Sequence, residues 1–485
     1  MSSGVHAFDA IIIGAGQAGP PLAGRLNAAG MRVALVERKL VGGTCVNTGC
    51  MPTKTLIASA RAAHIARRGR DFGVITGDVR FDMKIAARRA HRVSLNARME
   101  NEAWLASMGR LSFLRGHARL TGPTTLAVNG ELLEAPRIFL NVGGRASVPN
   151  LPGVNSVRYL DNVGMVALDE VPEHLIVIGG SYVGLEFAQM HRRFGARVTV
   201  VEQGARLVSR EDAEISAAIR DMLEAEGIAI RTSANCIALG RQEGGITVSV
   251  DCPTGDAVVA GSHVLLAVGR RPNTDDLGLV AAGVETDARG FIRVDDQLRT
   301  GVEGIWALGE CNGRGAFTHT AFNDYEIVAA NLLDGEERSL DSRVPAYALY
   351  TDPPLGRAGL SEAEARANGH DILVATRPMT RVGRAVEMGE TTGLMKLIVE
   401  APTRRILGAA ILGVGADEAI HGIVDLMSTA QSVDALRWAV PIHPTVSELL
   451  PTLALETGSG EALHAPVPRS IPVRHVAFNA AEPRR

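Results

Sequence analysis

Hydrophobic and polar positions at the start of this chain form a short apolar run, then a helical pattern, then a second apolar run. The first run spans Phe8–Ile13, a helical spacing through Leu22 and Leu26 follows a glycine turn, and the second run spans Arg32–Val36. Short β-branched runs joined by an amphipathic helix are typical of parallel strands in an α/β fold. The pattern therefore predicts a strand–helix–strand unit at the start of the chain.

The turn of this unit carries glycines at the spacing of a dinucleotide-binding motif. Gly14, Gly16 and Gly19 follow the first strand, and Glu37 follows the second. The first glycine permits the tight turn, the second lets a pyrophosphate approach the backbone, and the third allows close packing of the helix on the strand. A carboxylate at the end of the second strand accepts hydrogen bonds from a ribose. We therefore predict a dinucleotide site here.

The same unit recurs 165 residues further along the chain. Its strands are predicted at Leu175–Ile178 and Arg197–Val201, and Glu202 follows the first glycine of its turn by 23 positions, as Glu37 does in the first unit. The turn contains Gly179, Gly180 and Gly184, with Ser181 in the place of the middle glycine. Two dinucleotide sites on one chain favour electron transfer between a flavin dinucleotide and a nicotinamide dinucleotide.

A pair of cysteines, Cys45 and Cys50, lies between the two units and shortly before a helical pattern over Thr55–Arg68. The N-terminus of a helix favours the thiolate, which is the form that acts as nucleophile and electron donor. Two cysteines five positions apart suit a small reversible disulfide. We therefore expect this pair to be redox-active.

Composition and charge exclude several classes of function. The formal net charge of the 485 residues is −3, which does not favour a nucleic-acid-binding protein. Five cysteines are too few for a secreted disulfide scaffold. The sequence contains no apolar run of about 18 residues that could span a membrane, and the first residues lack the basic region of a signal peptide. We expect a cytoplasmic protein without a membrane partner.

The segment Gly42–Lys54 resembles the signature of the class I pyridine nucleotide-disulfide oxidoreductases, the family of lipoamide dehydrogenase, glutathione reductase and mercuric reductase. The resemblance extends from about residue 8 to about residue 465 and brings Gly43, Thr44 and Lys54 into the flavin site. It implies two doubly wound Rossmann-like domains, one for FAD and one for NAD(P)H, and a C-terminal α+β dimerisation domain. The expected ranges are 1–155 and 271–343 for FAD, 156–270 for NAD(P)H, 344–465 for dimerisation and 466–485 for a loose tail.

Further segments stand where this family has its other landmarks. The resemblance implies that segments 141–144 and 267–273 connect the domains. It assigns the acid of a second flavin motif, which binds the ribityl chain, to Glu310, although most relatives have aspartate there. It also implies that the next helix directs its N-terminal amides at the flavin ring. The residues assigned to cofactor binding in these segments are Gly143, Gly269, Arg270, Gly309, Glu310, Phe317, Thr318 and His319.

The resemblance assigns the chemical steps to the cysteine pair and a distant histidine. It implies that Cys50 faces the flavin and that Cys45 attacks the substrate. His443, with Glu448 five residues later, resembles the acid–base pair of the family. A carboxylate at this spacing can fix the tautomer of the imidazole and raise its basicity. In relatives this pair reaches the disulfide of the other subunit, which implies a homodimer with shared active sites.

Three further residues complete the site that the resemblance implies. Lys54 and Glu186 are expected to form an ion pair beside the flavin. Tyr182 stands where the family has a mobile tyrosine that covers the flavin until nicotinamide displaces it. Glu202 favours the free ribose hydroxyls of NADH and repels the 2′-phosphate of NADPH, and the residues directly after it, Gln203 and Gly204, are not basic.

The sequence defines the substrate less closely than the cofactors. The segments look most like mercuric-reductase-type members, but we find neither an N-terminal CxxC motif nor the C-terminal cysteine pair that passes Hg²⁺ to the inner thiols. We expect a sulfur-containing or soft-metal substrate, with dihydrolipoamide dehydrogenase or a hypothiocyanite-type reductase as alternatives. A flavin-carrying redox sensor with little turnover is an alternative of another class. We expect no metal site, with Cys236, Cys252 and Cys311 as bystanders.

Overall fold

The computed structural model describes residues 5–251, 253 and 255–457, so Cys252 and the expected tail 466–485 lie outside the described residues. Two parallel sheets flanked by helices and one antiparallel sheet near the C-terminus organise the fold. The predicted fold class is confirmed: two Rossmann-like units are followed by an α+β domain.

The first parallel sheet has five strands and is buried on both faces. Ile11 packs on one side of the sheet, whereas Ile12 packs on the other. This two-sided burial explains why the strand is a continuous apolar run rather than an alternating one. The strands, in spatial order, are Ile305–Ala307, Ile138–Leu140, Ala10–Ile13, Val33–Glu37 and Leu111–Arg115.

The second parallel sheet repeats this arrangement with four strands. Its helix Tyr182–Phe194 follows the glycine turn, as the helix Gly19–Ala28 does in the first unit. The two units therefore share one local topology. The strands, in spatial order, are Ala229–Arg231, Arg197–Val201, His174–Ile178 and His263–Leu266, and the remaining helices of this part include Asn162–Ala167 and Ala213–Ala225.

The cysteine pair lies on two consecutive helices rather than before one. Cys45 is in the short helix Gly43–Thr48, and Cys50 is the first residue of the helix Cys50–Arg67. The prediction that this helix begins at Thr55 is wrong by five residues. Pro52 lies in its first turn, where proline is compatible with a helix because the amide there has no partner within the helix.

The C-terminal domain is built on an antiparallel five-stranded sheet. Helices cover it, and its core includes Met395, Leu397 and Ile411, all of which are fully or almost fully buried. The strands, in spatial order, are Ala346–Leu349, Leu355–Gly359, Ile406–Leu412, Leu394–Glu400 and Ile372–Pro378. The helices are Glu362–Ala367, Gly383–Glu387, Ala416–Ala419, His421–Ser428, Val433–Arg437 and Leu450–Glu456.

Smaller elements connect these three sheets. A two-stranded ribbon joins the segments between the domains, and two further sheets lie at the edges of the two nucleotide units. The ribbon consists of Gly144–Ala146 and Arg270–Pro272; the edge sheets consist of Val5–Ala7, Glu131–Glu134, Thr125–Val128 and Ala118–Leu120, and of Asn235–Gln242, Gly245–Asp251 and Val258–Gly261. The remaining longer helices are Met83–Ala106 and Thr318–Ala329. Among the described residues, no helix combines the length and the apolar character that crossing a membrane requires.

A histidine is buried without a partner in the core beneath the second unit. His191 has no exposed surface, and neither of its ring nitrogens has a hydrogen-bond partner among the described residues. It packs edge-on against Phe194, with the ring centroids 5.5 Å apart. Burial lowers the pKa of His191 to about 3 because the interior does not solvate the charged imidazolium.

This histidine should make the folded chain sensitive to acid. An unfolded histidine takes up a proton near its ordinary pKa of about 6.5, whereas the folded chain excludes that proton until about pH 3. The free energy of unfolding should therefore fall with decreasing pH in this window, by about 1.4 kcal/mol per pH unit from this group.

We predict that His191→Leu reduces the loss of melting temperature between about pH 7.5 and about pH 5, because leucine takes up no proton. Differential scanning calorimetry of both proteins at each pH measures the effect. His91→Leu, at an exposed position, is the control and should leave the loss as it is in the wild type. An equal loss in His191→Leu and wild type would contradict the prediction.

Candidate active site

The two acidic residues at the strand ends hold their glycine turns in the same way. Glu37 accepts hydrogen bonds from the backbone amides of Ala15, at 2.8 Å, and Lys39, at 2.7 Å. Glu202 accepts from the amides of Gly180 and Gly204, both at 2.6 Å. Each carboxylate thus ties the turn to the end of the second strand. The shared hydrogen bonding of Glu37 and Glu202 explains why both lie 23 positions after the first glycine of their turn.

The first glycine of each turn is required by the backbone. Gly14 has φ +107° and Gly179 has φ +115°, in the region that favours glycine. A Cβ atom at Gly14 would lie 2.2 Å from the backbone oxygen of Asn141, and one at Gly179 would lie 2.4 Å from that of Ala267. Both turns therefore pass directly over the next strand of their sheet. A side chain at either glycine would therefore clash with the backbone of the neighbouring strand's end.

The first turn and the cysteine segment together form a cradle that fits a dinucleotide. Gly43 approaches Gly16 so closely that a Cβ atom at Gly43 would lie 2.9 Å from the Gly16 Cα atom. The side-chain amide of Asn141 donates to the backbone oxygen of Gly14 at 3.2 Å and fixes the turn from below. Thr44, next to Gly43, is exposed. These residues fit the FAD that the sequence predicts, because neither Gly16 nor Gly43 brings a Cβ atom into the cradle.

The two cysteines are free thiols that share a hydrogen bond. This bond lowers the pKa of Cys50 to about 6, assisted by Thr318 and the charge of Lys54. The same bond, together with burial, raises the pKa of Cys45 well above its ordinary value. This arrangement favours the thiolate at Cys50 and the protonated thiol at Cys45.

The helix that follows Glu310 begins directly beside the sulfur of Cys50. The Thr318 hydroxyl lies 3.5 Å from the sulfur of Cys50, and Thr318 is the first residue of the helix Thr318–Ala329. Partial positive charge at the start of a helix stabilises a nearby anion. Phe317 stacks on His319, and His319 Nε2 lies 2.8 Å from the backbone oxygen of Ala346. Burial lowers the pKa of His319.

Lys54 is held one turn after Cys50 by two different contacts. Its ammonium group lies 2.6 Å from the Oε2 atom of Glu186, whose side chain is 6% exposed. It also lies 4.7 Å from the centre of the Tyr350 ring, within range of a cation–π contact. The Tyr350 amide donates to the other oxygen of Glu186 at 3.0 Å. Tyr350 could not be predicted from the sequence, because it is almost 300 positions away from Lys54.

Glu310, which the sequence predicts to bind the flavin, is paired with an arginine. Glu310 accepts two hydrogen bonds from Arg270, at 2.5 and 2.9 Å. Arg270 also donates to the backbone oxygen of Gly144 at 2.8 Å, on the partner strand of the ribbon. Glu310 and Arg270, which the sequence analysis treated as separate contacts, form one unit. Gly143 and Gly269 lie directly beside this ribbon, at φ +61° and +111°.

The predicted acid–base residues lie together on the surface of the chain. Nδ1 of His443 is 2.7 Å from Oε2 of Glu448, and the side chain of His443 is 81% exposed, against 13% for Glu448. Among the described residues no hydrogen bond or ion pair joins His443 to either cysteine. The same segment exposes Trp438, Val440 and Ile442, of which 76%, 95% and 79% of the surface is accessible.

The remaining cysteines that the structure describes lie outside the site. Cys311 is fully buried, and burial raises its pKa to about 12. Cys236 is exposed. Within residues 5–251, 253 and 255–457, no group of three or more histidine, cysteine or acidic side chains could hold a metal ion.

Comparison with known proteins assigns the chain to a family. The model of the pyridine nucleotide-disulphide oxidoreductases matches residues 8–324, and that of their dimerisation domain matches residues 345–454. The probable pyridine nucleotide-disulfide oxidoreductase RclA of Escherichia coli K12 is 36% identical, covering 92% of this chain and 98% of its own. Mercuric reductase of Streptomyces lividans is 35% identical (93% and 96%), and dihydrolipoyl dehydrogenase of Thermus scotoductus is 33% identical (94% and 97%).

A solved structure agrees with these sequence comparisons. The HOCl-induced flavoprotein disulfide reductase RclA of E. coli superimposes with a TM-score of 0.84 at 35% identity, covering 92% of this chain and 99% of the other. The family uses FAD with a pyridine nucleotide, and its dimerisation domain indicates a homodimer. The chain belongs to the pyridine nucleotide-disulphide oxidoreductase family.

Proposed function

We propose that this protein is an FAD- and NADH-dependent oxidoreductase that reduces a small sulfur-containing or soft-metal substrate through Cys45 and Cys50. The observation that carries the proposal is the geometry of the thiol pair, in which the sulfur of Cys50 lies 3.5 Å from the Thr318 hydroxyl at the start of a helix. FAD would be bound by residues 1–155 and 271–343, NADH by 156–270, and the partner subunit by 344–465.

The chain's own groups fit the two nucleotides in distinct places. Bound FAD supplies the transfer of electrons between nicotinamide and the cysteine pair. The residues that would hold FAD are Gly14, Gly16, Gly19, Glu37, Gly43, Thr44, Lys54, Gly143, Gly309, Glu310, Arg270, Phe317, Thr318 and His319. Those that would hold NADH are Gly179, Gly180, Gly184, Glu202 and Gly269, with Tyr182 covering the entry.

The thiol pair would reduce a disulfide substrate in two exchanges. Cys45 gives up its proton and attacks one substrate sulfur, which releases the first thiol and leaves a mixed disulfide. The thiolate of Cys50 then attacks Cys45, which releases the second thiol and leaves the Cys45–Cys50 disulfide. Two electrons thus pass to the substrate together with the proton of Cys45, and the second substrate thiolate takes its proton from solvent. Because the pKa of Cys45 is raised, its attack needs a base.

The partner subunit's His443 would be that base. The carboxylate of Glu448 binds Nδ1 of His443 and leaves Nε2 free to take a proton. The exposed apolar side chains of Trp438, Val440 and Ile442 around it are suited to burial in a subunit interface. His443 would therefore be covered by the partner subunit and directed at the cysteines of that subunit.

The substrate class follows from the pair and from the relatives. Thiolates bind soft metal ions and also attack oxidised sulfur, and a solved structure of E. coli RclA is a Cu(II) complex. None of the other described cysteines lies in the site, so a thiol relay for Hg²⁺ is not among the groups present there. We therefore favour a small oxidant or a soft ion that reaches Cys45 directly over a bulky disulfide.

A steady-state assay of NADH oxidation tests the function. The acceptors are hypothiocyanite, Cu²⁺, Hg²⁺, lipoamide and glutathione disulfide, each with wild type and with Cys45→Ser as control. We expect turnover with a small oxidant or soft ion that Cys45→Ser abolishes. A flavin that NADH reduces, without turnover on any acceptor, would instead favour a redox sensor.

The choice of nicotinamide dinucleotide gives a separate prediction. The Glu202 carboxylate lies at the ribose end of the second unit, where a 2′-phosphate would meet a like charge. We expect kcat/KM for NADH to exceed that for NADPH by about tenfold or more. Glu202→Gln should narrow this ratio, whereas Glu243→Gln, at an exposed acid of the same part of the chain, should not. A wild-type preference for NADPH would contradict the prediction.

A further inference from the structure

Two tyrosines of different domains share one carboxylate oxygen. The hydroxyl of Tyr182 donates to Oε1 of Glu211 at 2.9 Å, and the hydroxyl of Tyr347 donates to the same oxygen at 2.8 Å. The two rings meet edge to face, with centroids 5.4 Å apart. Burial raises the pKa of both phenols, assisted by the charge of Glu211, so both remain hydrogen-bond donors at neutral pH.

The other oxygen of Glu211 faces a buried arginine. Nη1 of Arg357 lies 3.5 Å from Oε2 of Glu211 and 2.7 Å from Oδ2 of Asp212. The side chains of Glu211 and Arg357 are 0% and 2% exposed. A buried carboxylate is stable only while its oxygens have partners. Glu211 therefore depends on Tyr182, Tyr347 and Arg357 together.

Two of these three partners lie on adjacent strands of the C-terminal domain, and the third lies on the second nucleotide unit. Tyr347 and Arg357 lie opposite each other in the register of two antiparallel strands. The ring of Tyr347 also stacks on Phe317, with centroids 5.6 Å apart. Tyr182, by contrast, is the first residue of its helix and follows the glycine turn. If Tyr182 moves away, Glu211 keeps Tyr347 and Arg357.

We propose that Glu211 is the positioning residue that holds Tyr182 over the nicotinamide entry, and that Tyr347 makes its release inexpensive by keeping the shared oxygen hydrogen-bonded. This inference rests on the proposed function for the role of Tyr182 as a cover. It adds that Tyr182, Glu211 and Tyr347 together form a latch, to which the second unit and the C-terminal domain both contribute. Entry of nicotinamide then breaks one hydrogen bond and leaves no buried charge without a partner.

The latch predicts opposite effects for two similar substitutions. Tyr182→Phe removes the bond that nicotinamide must break, so the dissociation constant of the nucleotide should fall about fivefold, as expected for one hydrogen bond. Tyr347→Phe leaves Tyr182 as the only hydroxyl donor to Oε1. Opening would then leave that oxygen unpaired, and the dissociation constant should rise by about fivefold or more.

The test is calorimetric titration of the oxidised holoenzyme with a redox-inert tetrahydro analogue of NADH. Wild type, Tyr182→Phe, Tyr347→Phe and the double variant are compared. Tyr159→Phe, at another partly buried tyrosine of the chain, is the matched control. Glu211 itself is left in place because its replacement would leave Arg357 short of a partner in the core.

The double variant separates a latch from a merely structural role. With Tyr182 already unable to bond, Tyr347→Phe should have no further effect on the dissociation constant. An equal rise in both backgrounds, or no rise in either, would overturn the latch. Stopped-flow reduction of the flavin by NADH should slow in Tyr347→Phe alone, while reoxidation by substrate stays at the wild-type rate. Absence of turnover in wild type would count against the proposed function but not against the binding result.

Discussion

Cys50→Ser should lower turnover by about 10³-fold or more while the chain still folds and binds its cofactors. The reason is the division of roles in the thiol pair. The hydrogen bond from Cys45 lowers the pKa of Cys50 to about 6, which favours its thiolate. Serine cannot form the disulfide that closes the cycle, so a mixed disulfide at Cys45 would not be resolved.

An anaerobic titration with NADH tests the role of Cys50 without any substrate, because it counts the electron pairs that each chain takes up. Wild type should take up two electron pairs per chain, one at the flavin and one at the Cys45–Cys50 disulfide. Cys50→Ser should take up one. Cys236→Ser, at an exposed cysteine outside the site, is the matched control and should take up two. Uptake of two pairs by Cys50→Ser would remove the disulfide from the mechanism.

Mixed dimers should recover activity that neither parent has. His443→Ala is expected to lose about 10²–10⁴-fold in turnover because it lacks the acid–base group, and Cys45→Ser lacks the attacking thiol. In a dimer of one chain of each kind, the intact cysteine pair of the first faces the intact histidine of the second. One of the two sites is then complete, so the mixed dimer should show about half the wild-type activity.

The two parents carry different affinity tags, so the mixed dimer can be purified after co-expression and assayed with NADH and substrate. The same assay distinguishes shared active sites from active sites formed within one chain. If His443 served the cysteines of its own chain, neither site of the mixed dimer would be complete and no activity would return. A control dimer that carries both substitutions on one chain and none on the other should be inactive when the sites are shared and half-active when they are not.

The strands were the most predictable part of the fold. Arg197–Val201 begins and ends where the pattern predicts, because the last four of its five residues are buried and three of these are valines. The first strand begins at Ala10 rather than Phe8, because the amide of Phe8 donates to the backbone oxygen of Glu134 in the edge sheet instead of pairing within the first parallel sheet. The start of the helix at Cys50 was not predicted, because Gly49 and Pro52 look like loop residues when the first turn of the helix is not known.

The parts of the site that are contiguous in sequence could be predicted, and the long-range contacts could not. The two glycine turns, the cysteine pair and the His443–Glu448 pair each lie within a few residues, so local spacing identifies them. Tyr350 over Lys54 is a contact between residues hundreds of positions apart. Only the packing of the C-terminal domain on the first two units brings such residues together, and no local pattern reports that packing.

The matching hydrogen bonds of Glu37 and Glu202 have a consequence for how the protein is assembled. Each carboxylate is already satisfied by two backbone amides, so neither turn contains an uncompensated charge before its nucleotide arrives. The two nucleotide sites can therefore take their final shape as the chain folds. In the proposed function, a ribose would therefore join an existing set of hydrogen bonds rather than organise a loose loop.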